Sequence, residues 1–394
     1  MKVLVTGAKG FVGRNLCLTL EQMPDVEVLK YDLGDEANLD GYTATCDFVM
    51  HLAGVNRPKD PAEFKTGNTV FTEDILEKLA TRPDPPPVLL SSSIQAALDN
   101  DYGKSKLAAE NVVRSYGEKT STSVFIYRLA NVFGKWCRPN YNSAVATWVY
   151  NIARDLPIMV RDPAATVTLV YIDDVVRSFV GCLEVFNAEK QRDGEAERED
   201  SSTSSAPLHL CVRNNEILSV EPSYTRSLGE IVELIKSFHN EPQNLMVPDQ
   251  QDEFTKKLYS TYLAALPEDR FSYPLVMHCD NRGSFTEALH SAERGQVSVN
   301  VSKPGIAKGQ HWHHTKHEKF LVVSGKGEIN FRMADDPAGK IITYKVSGDK
   351  LEIVRIPPGY THNIVNVGDT DMVTIMWANE VFDPTNPDTF RLDV

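Results

Sequence analysis

Lys2-Val-Leu-Val-Thr-Gly7-Ala-Lys-Gly10-Phe-Val-Gly13 is the stretch that decides the first half of the fold. Lys2 to Thr6 is a short apolar run that stops at a glycine, the pattern of a strand buried on both faces. From Arg14 to Gln22 a helical pattern takes over. Glycines 7, 10 and 13 therefore stand where a strand hands over to a helix. There, main-chain N–H groups and the positive end of the helix can hold a pyrophosphate, provided no side chain blocks the approach. Gly7, Gly10, Phe11, Val12 and Gly13 are accordingly the candidate dinucleotide-binding residues.

Working outward, Val26 to Tyr31 reads as a second strand and Phe48 to Leu52 as a third. A helical pattern covers Thr66 to Leu79, Pro83 to Pro87 breaks it, and Val88 to Ser93 is strand-like again. Asp101 to Tyr116 reads as helix and Val124 to Leu129 as strand. Strands that alternate with helices predict a doubly wound parallel sheet. Asp32 closes the second strand about twenty residues beyond the glycines, where a carboxylate can accept hydrogen bonds from an adenosine ribose and favour NADH. Lys30 and Arg14 would instead meet the 2′-phosphate of NADPH, and a loop-capping aspartate is the plain structural alternative.

Tyr102-Gly-Lys-Ser-Lys106 sets a phenol and an ammonium one helical turn apart on one face. The ammonium is expected to lower the Tyr102 pKa and suit the phenol to proton transfer. Ser92 or Ser93, ending the preceding strand, can hydrogen-bond the reacting oxygen. Glycine loop, serine run and YxxxK in this order resemble the extended short-chain dehydrogenase/reductase family over roughly residues 1–240. His51-Leu52-Ala53-Gly54, Asn68, Asn131-Val-Phe-Gly134 and Tyr171-Ile-Asp-Asp174-Val are further matches. The resemblance implies a Rossmann fold, a nicotinamide cofactor and a nucleotide-sugar substrate. Tyr102, Lys106 and Ser93 take its catalytic positions, with Ser92 as the alternate. Leu52, Ala53, Gly54, Asn68, Tyr102 and Lys106 join the cofactor-binding set. Only eight residues separate Ser93 from Tyr102, where that family carries a longer loop, so the pocket is expected to be remodelled there.

Residues 187–207 turn charged and then serine-rich, with almost nothing to bury, and are expected to form a flexible insertion. Leu228 to Phe238 is an amphipathic helix pattern. From about Leu275 the chain changes to short strands punctuated by Gly and Pro: 296–301, 319–323, 328–332, 341–346, 353–356 and 372–377. This predicts an all-β barrel or double-sheet roll. The expected division is 1–250 and 275–394.

Within that second part lies Gly309-Gln-His311-Trp-His313-His314-Thr-Lys-His317-Glu318, followed by Pro357-Pro-Gly359-Tyr360-Thr-His362. His311 and His313, two residues apart in a strand, share a face. Glu318 can join them across a turn, and His362 from another strand. Three imidazoles and a carboxylate suit zinc, iron, manganese or nickel. The spacing resembles the two cupin motifs over about 275–394, implying a jelly-roll barrel that binds one divalent metal, zinc by first expectation, and pairs as a homodimer. Asp280-Asn-Arg282-Gly283-Ser-Phe285-Thr-Glu287 resembles the opening of the deoxysugar 3,5-epimerase cupins, which implies proton abstraction beside a ketone. His314, His317, Lys316 and Tyr360 are the candidate acid–base groups.

A reductase followed by such a cupin resembles the fused enzymes of capsular polysaccharide synthesis. That likeness implies epimerisation at C3 of UDP-2-acetamido-2,6-dideoxy-hexos-4-ulose, then reduction at C4 by NADH or NADPH. The product would be UDP-N-acetyl-L-talosamine, on the way to UDP-N-acetyl-L-fucosamine. The alternative is a single-activity reductase of UDP-4-keto sugars with a structural, dimer-forming cupin.

Bulk properties agree. A chain of 394 residues predicts two domains. A formal net charge of −13 argues against nucleic acid as partner. An anionic UDP-activated amino-deoxy sugar then needs basic side chains gathered locally. No run of about eighteen apolar residues and no apolar signal region occur, so no membrane association is expected and the cytoplasm is the expected compartment. Six scattered cysteines without a CxxC read as buried, reduced thiols.

Overall fold

The computed structural model describes residues 1–195, 216–385 and 387–394. Residues 196–207 of the predicted insertion lie outside them, and 187–195 continue the helix Ile172–Glu195. The chain forms two compact units, Met1–Ile235 with Lys257–Leu266, and Lys236–Lys256 with Pro267–Val394. Residues 236–250, expected in the first domain, thus cluster with the second unit, and 257–266 with the first. Leu245 and Val247 exchange main-chain hydrogen bonds with His290 at 2.9 and 2.8 Å, which ties that segment to the second unit.

In the first unit, β1 (Lys2–Thr6), β2 (Glu27–Tyr31), β3 (Phe48–His51), β4 (Val88–Ser93) and β5 (Val124–Leu129) form a parallel sheet in the order β2-β1-β3-β4-β5, extended by Ile217–Leu218. The fold class is the Rossmann-type one expected. On one face Leu4, Leu29, Val49, Leu90 and Ile126 pack against Ile75, Leu79, Val113 and Tyr116 of the helices Phe71–Ala80 and Asp101–Thr120. Elsewhere the fully buried Phe48 stacks on Phe125 at 6.0 Å and meets Phe186 at 5.7 Å. Strand order reverses at β1 and β3, so their carboxyl ends open a crevice. The glycine loop and Leu52–Gly54 lie at those ends, and Ser93 at the carboxyl end of the neighbouring β4.

The predicted helix from Thr66 differs. Lys65–Val70 is a π-helical turn, and the α-helix starts only at Phe71. The wider turn sets Asn68 inward, buried to 2% exposure. The helix Glu36–Thr45 was not legible, because its apolar residues gather on no one face.

In the second unit two antiparallel sheets enclose a core of Phe320, Val322, Ile329, Phe331, Val354, Ile356, Ile364 and Met372. One sheet runs His278–Asp280, Gly283–Ser291, Gly295–Ser302, Met372–Ala378, Glu318–Ser324, Ile353–Ile356. The other runs Ile342–Ser347, Lys326–Met333, Tyr360–Asn366, Ala307–Trp312, Phe390–Arg391. This is the double-sheet architecture expected. Cys17, Cys46 and Cys182 are buried free thiols as predicted, whereas Cys279 is exposed on an edge strand. Among the described residues no helix is long and apolar enough to cross a membrane.

Replacing Phe48 by Ala removes a fully buried ring between two aromatic neighbours. It is expected to cost about 3–5 kcal/mol of stability to the first unit, measured as the shift of a urea unfolding midpoint.

Candidate functional site

The glycine loop is built by close approach. Gly7 adopts φ +70°, and a Cβ there would stand 2.9 Å from the Ala53 nitrogen. A Cβ on Gly13 would stand 2.1 Å from the Gly7 carbonyl oxygen, so only glycine lets the helix Phe11–Leu20 sit against β1. That helix has no side-chain cap and no acidic residue in its first turn, which leaves its N–H groups for an anion. The cradle therefore fits a dinucleotide pyrophosphate.

Asp32 braces this loop. Its carboxylate accepts hydrogen bonds from the Lys9 and Leu33 main-chain N–H groups at 2.6 and 2.9 Å. Lys30 is paired with Glu21, and the Arg14 guanidinium lies 5.1 Å over the Trp136 ring. The two cations named for a 2′-phosphate are thus engaged elsewhere.

His51 organises the next layer. The Thr6 hydroxyl accepts from the Leu52 and Ala53 N–H groups at 3.2 Å each, so its single proton goes to His51 Nδ1, 2.7 Å away. Nε2–H then donates to the Thr72 hydroxyl at 2.9 Å, and that hydroxyl donates to the Asn68 carbonyl at 2.6 Å. The Asn68 amide in turn spans both main-chain groups of Val55, at 2.7 and 3.1 Å, and donates to the Ser105 hydroxyl at 3.0 Å. Burial, helped by Lys106, pushes the His51 pKa down to about 3.

Ser93 ends β4, which packs on the helix Asp101–Thr120 that carries Tyr102 and Lys106. Asn100 caps the helix that carries Tyr102 and Lys106, accepting from the Gly103 N–H at 2.8 Å. Ser93 hydrogen-bonds the Tyr102 phenol, and the Phe64 ring lies 5.7 Å from the Tyr102 ring. Lys106 Nζ donates to the Ser91 carbonyl at 3.0 Å, and a Cβ on Gly54 would stand 3.2 Å from it. Burial pushes the Lys106 pKa down to about 8 against the pull of Glu110.

Two expectations need correcting here. The Tyr102 pKa is raised, because burial outweighs the Ser93 hydrogen bond. Lys106 does not lower it, since its ammonium turns toward the strand carbonyl of Ser91. Ser92 is not a catalytic partner. Adjacent strand residues point to opposite faces, and its hydroxyl donates to the fully buried Glu110 at 2.6 Å. Arg128 (2.8 and 2.9 Å) and Arg114 (3.3 Å) complete that cluster. Glu110, one turn past Lys106, was the readable signal for it.

In the second unit His311, His313, Glu318 and His362 offer ligand atoms all within 4.8 Å of one another. Glu318 Oε2 lies 3.5 Å from His313 Nε2 and 3.3 Å from His362 Nε2. Those three atoms are buried with no hydrogen-bond partner, a costly arrangement unless something else satisfies them. Burial and His362 push the His311 pKa down to about 4, leaving a neutral imidazole. Glu318 is held well below the usual carboxylate range. Burial would raise it, but the neighbouring imidazoles of His313 and His362 prevail. Buried, orphaned nitrogen and oxygen donors of this composition fit one divalent metal ion.

His311 and His362 line a cavity of about 560 Å³ with Lys308, Arg282, Asn300 and Phe320. Lys308 Nζ donates to Asn300 Oδ1 at 2.7 Å and to the Val301 and Ser284 carbonyls at 2.9 and 3.3 Å. Arg282 is paired with Asp280 at 2.6 Å, so the lining carries two cations and one carboxylate.

None of the four predicted acid–base groups lines this cavity. His314 lies against Trp312 and Phe390, at 4.5 and 4.9 Å, and borders a separate hollow of about 420 Å³ with Lys316. His317 faces Trp377 at 5.6 Å, and Tyr360 packs on the apolar core. The chain leaves strand geometry at His313, so the alternation that made His314 and His317 plausible ends there.

Parallel sheet, glycine cradle and Ser93–Tyr102–Lys106 cluster define a nicotinamide-dependent enzyme of the short-chain reductase type, joined to an all-β unit. Residues 3–194 match the NAD dependent epimerase/dehydratase family, and 278–390 match the polysaccharide biosynthesis C-terminal domain. The chain is 46% identical over 395 residues to UDP-2-acetamido-2,6-beta-L-arabino-hexul-4-ose reductase of Pseudomonas aeruginosa, covering 100% of this chain and 99% of the relative. It matches the crystal structure of the capsular polysaccharide assembling protein CapF from Staphylococcus aureus with a TM-score of 0.85, at 49% identity and full coverage of both chains. A structure of CapF with the inhibitor 3-isopropenyl-tropolone matches at 45% identity and a TM-score of 0.80, again over both full chains. The chain belongs to the CapF family.

His51 generates a pH prediction. The folded chain protonates it only near pH 3, an unfolded one near 6.5. Protons therefore favour unfolding, and stability falls as pH drops from about 6.5 toward 3, by up to about 1.4 kcal/mol per pH unit. His51→Gln should flatten that slope, read from urea midpoints across the range; an unchanged slope assigns it to other groups.

Proposed function

We propose that this chain carries out two steps on UDP-2-acetamido-2,6-dideoxy-hexos-4-ulose. The all-β unit, read as a metal-binding cupin, epimerises C3. The reductase unit then reduces the C4 ketone, giving UDP-N-acetyl-L-talosamine on the path to UDP-N-acetyl-L-fucosamine. The observation that carries this reading is the presence of two separately built sites in one chain. One has a phenol–serine–ammonium set beside a dinucleotide cradle, and the other has a buried ligand set opening on a cavity with Lys308 and Arg282. The P. aeruginosa relative, whose name specifies a 4-keto sugar nucleotide, supports the substrate.

The order follows from chemistry. A 4-ketone acidifies the C3 hydrogen, and reduction removes the ketone, so epimerisation comes first. Bound NADH or NADPH supplies the hydride. Tyr102 donates its proton to the C4 oxygen as that oxygen gains negative charge, and Ser93 fixes the oxygen by hydrogen bonding. The raised Tyr102 pKa keeps the phenol protonated for this role. Lys106, beside Gly54, would hold the nicotinamide ribose. Asp32, already bracing the glycine loop, keeps acceptor capacity for an adenosine ribose.

In the other unit His311, His313, Glu318 and His362 would hold the metal, which supplies a Lewis acid for a ketone oxygen. Lys308 and Arg282 face the cavity and suit the anionic diphosphate. Tropolones carry adjacent oxygens that chelate divalent cations, so an inhibitor of that class is what a metal-dependent step would meet.

Tyr102→Phe is expected to lower NAD(P)H oxidation about 100- to 10,000-fold while C3 hydrogen exchange with deuterated solvent, followed by NMR, continues. Simultaneous loss of both would favour a single site and the reductase-only alternative. A second prediction concerns the metal. Purified protein should carry about one divalent ion per chain by elemental analysis, and His313→Ala should lose most of it. A His313→Ala protein with full metal content would remove this ligand from the set.

A further inference from the structure

His313 is held by a residue far away in sequence. Its Nδ1 hydrogen-bonds the main-chain carbonyl of Asp388. The carbonyl can only accept, so Nδ1 carries the proton and the Nε2 lone pair faces Glu318. The Asp388 carboxylate then fills a nest of three successive main-chain N–H groups. Oδ1 accepts from His314 at 2.8 Å. Oδ2 accepts from Thr315 and Lys316 at 2.8 Å each, and from the Thr315 hydroxyl at 3.1 Å. These donors belong to the irregular segment between His313 and Glu318, which has no strand partners of its own. Beyond Asp388, Phe390–Arg391 pairs with His311–Trp312, and Leu392 N–H donates to the Gln310 carbonyl at 3.0 Å. Gln310 itself sits at φ +64° beside a register shift, so the ligand strand is irregular where this strap meets it.

We propose that Asp388 is the positioning residue of the metal centre: its carbonyl sets the His313 tautomer, and its carboxylate locks the loop joining His313 to Glu318. The inference rests on the metal reading above. The carbonyl is the outer-sphere partner of His313, and the carboxylate holds that carbonyl and the loop in register; disturbing an outer-sphere partner commonly weakens a metal site about 10- to 100-fold.

The test uses the full chain loaded with zinc or with cobalt(II). Asp388→Ala is expected to release zinc to a chelator about 10–100-fold faster than the parent protein and to alter the cobalt(II) visible spectrum, which a merely structural role would leave unchanged. NADPH binding, followed by fluorescence, should stay as in the parent. Asp388→Asn keeps one oxygen acceptor and should fall between. Parent-like release and an unchanged cobalt spectrum in Asp388→Ala would overturn the proposal. If that variant does not fold, parent-like release from Asp388→Asn overturns it by the same criterion. A parent protein that binds neither ion would instead overturn the metal reading.

Discussion

A carboxylate buried among three imidazoles is an arrangement that a folded chain has reason to avoid, because each unsatisfied polar atom inside the protein forfeits its hydration. The second unit accepts that cost at Glu318, His313 and His362, and its architecture serves to impose it. Two antiparallel sheets supply the ligands from the strands Ala307–Trp312, Glu318–Ser324 and Tyr360–Asn366 and from the turn that follows the first of them. The core of Phe320, Ile329, Phe331 and Ile364 fixes those strands. Buried nitrogen and oxygen donors of this composition in a rigid frame fit a divalent cation.

The reductase unit applies a milder version of the same rule. Lys106 is buried against a carbonyl and not against a carboxylate, so its ammonium is under-compensated and its pKa falls. His51, close enough to feel that charge, stays neutral, which spares Lys106 a second positive charge. Glu110 is one turn away but spends its hydrogen-bonding capacity on Ser92, Arg114 and Arg128. Glu110 therefore does not bind the Lys106 ammonium, which lies beside Gly54 and on the Ser91 carbonyl.

The sites differ in how far local sequence spells them out. Gly7, Gly10 and Gly13 are legible because close approach of backbone to backbone admits no other residue, and the strand-to-helix handover around them is periodic. Tyr102 and Lys106 are legible because one helical turn fixes their spacing. Ser92 and Ser93 were not separable without the strand's facing, which is settled by what packs on each side. Tyr102's pKa was misjudged because the direction of a flexible lysine side chain is a tertiary fact.

The sequence alone determined the order of the two units, the parallel and antiparallel characters of their sheets, the glycine cradle and the four metal-ligand candidates. Short-range geometry dictates each of these: the period of a strand or helix, or a glycine's lack of a Cβ. Only the tertiary structure decided that His314, His317, Lys316 and Tyr360 do not line the cavity at His311 and His362, that Asp32 braces the glycine loop, and that residues 236–256 belong with the second unit. It alone brought Asp388 to His313, 75 residues apart, where a main-chain carbonyl chooses which imidazole nitrogen stays bare. No periodicity in the chain encodes such a meeting, because it depends on how separate strands close against one another.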